Sequence, residues 1–276
     1  MEIDTLGPGE APAGKRLSDA AGWNLHLDDW RRMIAYPDSQ VFAGRVDGAV
    51  VATTSLAWYG DVCWVGLVLV HPDHQRKGYG SRIMDRAMDH ATARSDRIGL
   101  DATDQGRPIY RELGFVDVGP VDRWTGTVDG GSPTEEVSRL GPDRLDAVAA
   151  FDREASGVDR RDLIEAHLAA DESRGFVVED DGVCGYAMTF PGREPWQLGP
   201  VVATGGETLR SLLAVAGETL GSTPVVVDAV REDRRSAVLE DAGLEASRSL
   251  ARMTYERPRS LLTGESLHAG FGLQWG

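Results

Sequence analysis

Lysine is nearly absent from this chain of 276 residues: only Lys15 and Lys77 occur, so 27 of the 29 basic residues are arginine. Acidic residues number 44, which gives a formal net charge of −15 at pH 7. A surface of this sign repels phosphate backbones and anionic lipid headgroups, so we expect neither nucleic acid nor a membrane as a partner. Abundant acid with little lysine also resembles proteins of salt-adapted cytoplasm, and we keep that origin as a hypothesis.

Cysteines, histidine clusters and long apolar runs are also scarce. Cys63 and Cys184 lie far apart in strand-like segments, which favours buried free thiols over a disulfide. His71 and His74 have no cysteine or further histidine nearby, so we interpret them as part of a solvated turn and expect no metal site. No apolar run approaches the roughly 20 residues that cross a bilayer, and the acidic amino terminus lacks a signal-peptide pattern. We therefore expect a cytoplasmic protein.

The most informative stretch runs from Val65 to Ile83. It begins with six apolar residues, Val65–Val70, which are typical of a strand buried on both faces. Pro72 ends that strand because it lacks an N–H group. A basic turn, Gln75–Gly80, then leads into an amphipathic helix whose apolar residues recur every four positions. Such a turn indicates an anion-binding site, because the first amides of a helix have no internal partners.

The residues of this turn exclude two familiar phosphate-binding loops. The G-x-x-x-x-G-K-[ST] pattern of a Walker loop is missing, and a dinucleotide fingerprint would need a third glycine at Ile83. The pattern Q-x-x-G-x-G after a strand ending in Val-x-Pro instead resembles the acyl-CoA pyrophosphate loop of the GNAT superfamily of N-acyltransferases. By itself this pattern also fits an ordinary glycine-rich turn.

A second pattern follows downstream. The segment Leu100–Phe115 closely resembles the Y-x-x-x-G-F element of the same family, with Tyr110, Gly114 and Phe115 at the matching positions. Two patterns in the right order and at the right spacing resemble a GNAT domain over about residues 16–127. The resemblance implies an α/β fold of mixed α+β type, in which a mixed, mostly antiparallel central sheet is flanked by helices.

The hydrophobic pattern predicts the elements around these motifs. Residues 1–15 are rich in glycine, proline and alanine, which is typical of a loose lead-in. An amphipathic helix of about three turns is predicted from a cap at Ala21–Asn24 to Ile34. The predicted strands and the helix opened by Pro108 follow in the order 39–46, 49–58, 62–70, 97–102 and 108–113.

The same plan recurs after a Gly/Pro/Ser-bearing linker at residues 128–136. The recurring segments are two helical patterns (139–155 and 161–170), a hairpin with an Asp-Gly turn (175–182), two strand-like segments (198–203 and 225–229) and a helical segment (239–244). We therefore predict tandem GNAT folds, with a catalytic domain at residues 1–130 and a GNAT-like domain at residues 131–276. The tail from Leu261 is predicted to complete the second fold as a strand.

The second copy has lost the chemistry of the first. Thr204–Glu207 stands where the first half has Gln75–Gly80, without a basic residue and with an added carboxylate. Leu239 stands where the first half has Tyr110. The carboxy-terminal half is therefore predicted to be degenerate.

The resemblance implies the co-substrate and the catalytic group. The co-substrate is acetyl-CoA, whose pantetheine arm pairs with the exposed backbone edge of the strand before the turn. Tyr110 matches the position of a general acid that protonates the leaving thiolate, although a packing aromatic fits the same position. The residues implied to bind acetyl-CoA are Leu69 and Val70 on the strand and Gln75, Arg76, Lys77, Gly78, Tyr79, Gly80 and Ser81 on the turn.

The acceptor side and the general base remain open. Trp23 and Asn24 lie in the region that usually walls the acceptor site, and Asp101 is assigned to the same site from the end of the next strand. Residues 62–70 contain no acid, so Asp61 and Asp101 are the candidate bases, each also interpretable as a structural residue. A water relay or an amine that arrives neutral would need no base. The acceptor is expected to be an amine of a small molecule or a protein, and the acidic surface favours a cationic one.

Three functions compete at this point. The first is an N-acetyltransferase, acting as a monomer or a homodimer. The second is a non-catalytic acyl-CoA-binding module whose second half senses a ligand or partner. The third, a nucleotide- or phosphosugar-binding domain, depends on the turn alone.

Overall fold

The structure is a computed structural model that describes residues 1–129, 131–262 and 264–276. Its first half contains, in chain order, β1 Glu2–Thr5, α1 Ala11–Ala20, α2 Leu27–Ala35, β2 Ser39–Val46, β3 Ala49–Tyr59, β4 Val62–Val70, α3 Tyr79–Thr92, β5 Arg97–Ala102, α4 Arg107–Glu112 and β6 Phe115–Gly126. Its second half contains β7 Val137–Arg139, α5 Leu145–Ser156, α6 Arg161–Leu168, β8 Arg174–Glu179, β9 Val183–Phe190, β10 Trp196–Ala203, α7 Gly206–Leu220, β11 Val225–Val230, α8 Asp233–Asp241, β12 Leu244–Tyr255 and β13 Leu267–Ala269.

The strands of both halves form one continuous sheet. Its order is β1-β2-β3-β4-β5-β12-β6-β11-β10-β9-β8-β7, with β13 beside β10. Among these strand pairs β4/β5 and β10/β11 are parallel and the others are antiparallel. The predicted fold class, a mixed and mostly antiparallel sheet flanked by helices, is confirmed. None of the helices in the described ranges is long and apolar enough to cross a membrane.

The two halves exchange their last long strands at the centre of this sheet. β12 pairs with β5, where Met253 lies opposite Leu100, and β6 pairs with β11, where Trp124 lies opposite Val227. Each half is therefore completed by a strand of the other. The sequence pattern cannot reveal this exchange, because the alternation of side chains along a strand is the same whichever neighbour it pairs with. The proposed boundary at residue 130 thus separates two repeats that share a sheet, and Gly130 itself lies outside the described residues.

The amino-terminal segment is not a loose lead-in, contrary to its composition. β1 pairs with β2, where Ile3 lies opposite Gly44, and Leu17 of α1 is buried in the core. α1 packs so closely on α2 that a Cβ atom at Gly14 would lie 2.3 Å from the ring of Trp30. The small residues that suggested a loop therefore allow two helices to approach each other.

Two helix starts also differ from the prediction. Trp23 and Asn24 lie in the loop before α2 rather than at its cap, because the N-cap is His26 and the helix begins at Leu27. The helix predicted from Arg139 begins at Leu145, because residues 137–139 pair with β8 as a strand. The strands at 39–46, 62–70 and 97–102 have the predicted bounds.

The tail beyond Leu261 is mostly irregular rather than a strand. Only Leu267–Ala269 pairs with β10, and Thr263 lies outside the described residues. The following segment is nevertheless buried, since Trp275 has no solvent exposure. The Tyr59 hydroxyl donates to the Trp275 carbonyl (2.9 Å) and the Trp64 indole donates to the Leu273 carbonyl (3.1 Å). The tail of the second half therefore packs directly on β4 of the first half.

One face of the sheet carries the first two helices of each half, α1–α2 and α5–α6. Their buried residues join the tail in a single apolar cluster that includes Trp30, Ile164 and Trp275. Alternate residues of β4 point to the other face, where α3 packs on Cys63 and Val65. The two halves thus share a core as well as a sheet.

Candidate active site

β4 and β5 separate after three residue pairs, Val62 to Trp64. β4 remains paired with β3 as far as Val70 on its other side. A bulge lies in this segment: Leu67 has φ +48°, and its carbonyl accepts a hydrogen bond from the Thr53 hydroxyl at 2.8 Å. Within the described chain, the β5-facing edge of β4 therefore has no strand partner beyond Trp64. This edge includes Leu69 and Val70, and it can pair with an extended ligand.

The turn at the end of this edge presents backbone N–H groups to solvent. Arg76 (φ +59°) and Gly78 (φ +73°) both have left-handed conformations. Turns with such residues form anion-binding concavities, and the helix dipole of α3 adds partial positive charge. Tyr79, Gly80 and Ser81 form the first turn of α3, which contains no acidic residue. The exposed turn therefore has the geometry expected of a pyrophosphate site.

Side-chain hydrogen bonds tie this turn to the strand. The Gln75 amide donates to the Val70 carbonyl at 3.3 Å, and the Lys77 ammonium donates to the Asp73 carbonyl at 3.0 Å. Arg76 is exposed. The two cations Arg76 and Lys77 thus lie beside the free amides, where they can add charge to the same site.

Tyr110 lies on α4 with only 8% of its surface exposed. Its ring packs edge-on against Phe115, with ring centroids 6.1 Å apart. A Cβ atom at Gly106 would lie 2.8 Å from this ring, so glycine is needed there to admit it. Burial raises the pKa of Tyr110 above its ordinary value near 10. The hydroxyl therefore stays protonated at neutral pH, as a proton donor must.

The corresponding opening of the second half is closed by the chain itself. β10 and β11 pair only at Trp196 and Gln197, and β13 then occupies the β10 edge, with Val201 opposite Ala269. In the first half the equivalent edge is free. Glu207 also lies in the first turn of α7, where a carboxylate opposes anion binding. The second half therefore differs from the first in two features, the covered strand edge and the acidic start of the following helix.

His268 on this inserted strand predicts a dependence of stability on pH. Its Nε2 lies 3.1 Å from the Ala203 carbonyl, and its buried Nδ1 has no partner among the described residues. Burial lowers the pKa of His268 from 6.5 to about 4. Because the unfolded chain binds the proton at higher pH, the stability contributed by neutral His268 is complete above pH 6.5 and is lost between pH 6.5 and 4. We expect this loss to reach at most about 1.4 kcal/mol per pH unit.

The measurement is the free energy of unfolding of the unmodified protein and of His268→Gln at pH 7 and pH 5. His167, which is also buried, is present in both proteins, so their difference isolates His268. The same pH dependence in both proteins would contradict the prediction.

The two acids considered as bases are both held in ion pairs. The Asp61 carboxylate accepts from Arg97 at 3.0 Å on the surface. The Asp101 side chain is 2% exposed, and each of its oxygens accepts from Arg252 at 2.9 Å. Arg252 also donates to the carbonyls of Leu261 and Leu262 in the tail. Asp101 therefore holds the tail in place, and we leave it out of the acceptor site proposed below.

A cavity of about 170 Å³ lies where the two halves meet, on the face that carries α1 and α2. Its wall combines residues from both halves and the tail: Ala21, Gly22, Trp23, Asn24, Leu25, Asp29, Arg123, Phe190, Pro191, Gly192, Gln197, Arg248, Leu273 and Gln274. The backbone of Gln274 also packs against Gly66, where a Cβ atom would lie 2.6 Å from the Gln274 carbonyl oxygen. Gln274 therefore lines the cavity and also contacts Gly66, which lies in the segment where β4 separates from β5.

The predicted acceptor residues Trp23 and Asn24 both line this cavity. The Asn24 amide donates to the Pro195 carbonyl (3.0 Å) and accepts from the Glu194 N–H (3.1 Å), so its side chain joins the two halves. We refer to the cavity as the interdomain pocket. Its second-half residues were missed by the sequence analysis, because no local pattern shows that β6 and β12 lie side by side.

A larger cavity of about 570 Å³ lies beside α1 and the β2–β3 turn. It is lined by residues from 9 to 17 and from 45 to 51, with His71 and His74 at its edge. No residue of β5 or α4 is among those that line it, so it is separate from the opening at the β4 edge. Arg45 in its wall is already paired with Asp4 and Glu10.

Two family models match this chain. The model for the acetyltransferase (GNAT) family matches residues 14–115, and a second model for an acetyltransferase (GNAT) domain matches residues 148–269. The two matches coincide with the two repeats and together cover most of the chain. The predicted tandem arrangement is thereby confirmed.

Known proteins resemble this chain in sequence and in fold. Holothin acyltransferase from a Pseudoalteromonas strain is 29% identical over 76% of this chain and 72% of its own length. A putative acetyltransferase from Pyrococcus horikoshii superposes with a TM-score of 0.84 over 100% of this chain and 95% of its own, at 19% identity. A tandem GNAT protein from the clavulanic acid biosynthesis pathway has a TM-score of 0.67 over 94% and 99%, at 17% identity. The chain is an acyltransferase of the GNAT family, with two GNAT domains in tandem.

Proposed function

We propose that the chain is an acetyl-CoA-dependent N-acetyltransferase with one active centre, at the β4 edge of the first half. The observation that carries this proposal is the contrast between the two openings. The β4 edge is free and ends in a turn of exposed amides, whereas β13 fills the β10 edge. Proteins of the GNAT fold use acyl-CoA, so a single free edge of this kind supports a single acyl-CoA site.

The residues present fit an acyl-CoA thioester. The free edge at Leu69 and Val70 can pair with the amides of the pantetheine arm, and a backbone N–H in the bulged segment can polarise the thioester carbonyl. The N–H groups from Gln75 to Ser81 can hold the pyrophosphate, with added charge from Arg76 and Lys77. The acetyl group then passes directly to the amine.

Tyr110 is proposed as the general acid. As the bond from the carbonyl carbon to sulfur breaks, the departing thiolate takes the proton of the Tyr110 hydroxyl. The raised pKa of Tyr110 keeps this proton available at neutral pH. With Asp61 and Asp101 held in ion pairs, we propose that the amine arrives neutral or loses its proton to water.

A small-molecule acceptor is supported by one relative, whose name assigns it an acyl transfer to holothin. The cytoplasm remains the proposed location, on the composition alone.

The competing function is a non-catalytic acyl-CoA-binding module, which the same edge and turn would serve. The two differ in one observable, because only an enzyme releases free CoA when an amine is added.

Calorimetric titration with acetyl-CoA tests the proposal, and two glycine variants sharpen it. We expect one site per chain, with Kd raised at least tenfold in Gly78→Val. A valine at φ +73° costs about 1–2 kcal/mol and disturbs the turn that holds the pyrophosphate. Gly205→Val is the matched control, because Gly205 has φ −154° and an open environment at the equivalent turn.

Two outcomes would count against the assignment. Two sites per chain would mean that the second half also binds acetyl-CoA despite β13. An equal loss of affinity in both glycine variants would mean that the Gly78 turn is not the binding site. Titrations in dilute buffer and in molar salt also test the hypothesis of salt adaptation.

A further inference from the structure

Two donors that line the interdomain pocket have no protein partner among the described residues. Gln197 has only 8% of its surface exposed, and its Nε2 has no hydrogen-bond partner there. A buried amide without a partner is costly and is rare in native proteins. Arg248 on β12 is exposed to solvent and makes no hydrogen bond or ion pair within the described part of the chain. The Gln197 amide therefore lacks an acceptor that a ligand could supply, and the Arg248 guanidinium is free to bind the same ligand.

The charges in this pocket do not balance. Arg248 lies directly opposite Arg123 on the neighbouring strand β6. Arg123 is neutralised by Asp228, with two hydrogen bonds of 2.7 Å, and Arg248 is not. Like charges directly opposite on paired strands are destabilising. Partial loss of hydration, and after it the proximity of Arg123, lowers the pKa of Arg248, which remains a cation at neutral pH.

The acid in the same wall cannot balance this charge. Asp29 is 6% exposed, and its oxygens accept from the Arg32 guanidinium (3.0 Å) and the His26 N–H (2.8 Å). The rest of the wall is mixed: Asn24 and Gln274 are polar, and Trp23, Leu25, Phe190 and Leu273 are apolar or aromatic. Within the described residues, the pocket thus combines one cation without a protein partner, one buried amide donor without a partner, and walls of mixed polarity.

We infer that the interdomain pocket binds the carboxylate of the acceptor, so that the acceptor is an amine that also carries a carboxylate, as an amino acid does. This inference rests on the proposed function and names the acceptor class of the same site. The guanidinium of Arg248 and the amide of Gln197 donate to the carboxylate oxygens, and the amine points towards Gly66 and the β4 edge. The pocket of about 170 Å³ is smaller than most ligand pockets, which suits one end of a small acceptor.

This inference differs from the expectation of a cationic acceptor, which rested on the net charge of the whole surface. The local charge of the pocket is opposite to that of the molecule. The second half, which has lost its own acyl-CoA site, would then contribute to the recognition of the acceptor, because Gln197 and Arg248 both belong to it.

The test measures CoA release with matched amines, after acetyl-CoA binding has been established by calorimetry. The probes are a panel of free amino acids, the corresponding amino acid amides, spermidine and an aminoglycoside. We expect free amino acids to exceed their amides at least tenfold in kcat/KM. Arg248→Gln should reduce this preference about ten- to hundredfold, mainly through KM, with acetyl-CoA binding unchanged.

Two further variants separate recognition from folding. Arg153→Gln removes an exposed arginine of α5 that does not line the pocket, and it should leave the preference intact. Gln197→Leu keeps the volume and removes the unpaired amide, so it should weaken the preference for free amino acids. Because Arg248 opposes Arg123, we also expect the Tm of Arg248→Gln to equal or exceed that of the unmodified protein.

The outcomes distinguish failure of the proposed function from failure of this inference alone. Failure of acetyl-CoA to bind would overturn the proposed function and this inference together. Binding of acetyl-CoA without acetylation of any free amino acid, or with equal use of acids and amides, would overturn this inference alone. A preference that survives Arg248→Gln unchanged would also overturn it.

Discussion

Replacement of Tyr110 by phenylalanine is expected to lower kcat about a hundredfold or more, while the affinity for acetyl-CoA stays the same. The phenol is the proton donor proposed for the leaving thiolate, and positioned acids of this kind contribute at least 10² to the rate. The ring itself packs on Phe115 and above Gly106, and phenylalanine preserves both contacts. The measurement is CoA release at saturating acetyl-CoA with any amine that supports turnover, together with calorimetric titration.

Tyr255→Phe provides the matched control for this prediction. Tyr255 packs on the same Phe115 ring, with centroids 5.5 Å apart, and removal of its hydroxyl should leave kcat unchanged. The pH profile gives a second readout. Because burial raises the pKa of Tyr110, its ionisation should not reduce activity below about pH 10. Equal kcat for Tyr110→Phe and the unmodified protein would leave Tyr110 as a packing residue only.

Asp101→Asn is expected to destabilise the fold by about 3–5 kcal/mol, because it leaves the buried guanidinium of Arg252 without its counter-charge. The Cζ atom of Arg252 also lies over the ring of Trp64, 4.8 Å from the ring centroid, and its guanidinium donates hydrogen bonds to two carbonyls of the tail. We therefore expect the tail to loosen from β4 as the pair is lost. Denaturant unfolding measures the change in free energy.

Asp61→Asn serves as the comparison, because Asp61 was the other candidate base. Its pair with Arg97 is largely exposed, with 69% and 30% of the two side chains accessible, so its loss should cost less than about 1 kcal/mol. Neither variant should abolish turnover per folded molecule. A folded Asp101→Asn protein with normal stability and no activity would instead identify Asp101 as the base.

The sequence by itself determined the local elements and the binding motifs of the first half. The apolar run of β4 ends at Pro72 as predicted, since proline has no N–H group to continue the strand. The basic turn and the amphipathic helix after it were also predicted, although α3 begins at Tyr79, inside the predicted turn of Gln75–Gly80. The repeat was also visible, because each half must use the same pattern to bury the same type of element. Patterns of this kind involve residues that are close together in the sequence, so they can be interpreted without knowledge of the tertiary structure.

Only the tertiary structure decided how the halves are joined and where the interdomain pocket lies. The exchange of β6 and β12 places Arg123 opposite Arg248, although the two residues are far apart in sequence. The insertion of β13 at the β10 edge and the packing of Gln274 on Gly66 depend on long-range pairing of the tail. Side-chain alternation indicates that a strand has a buried face, but it does not specify which strand covers its edge. The interdomain pocket is therefore a property of the assembled sheet, whereas the Gln75–Gly80 turn is a property of the sequence.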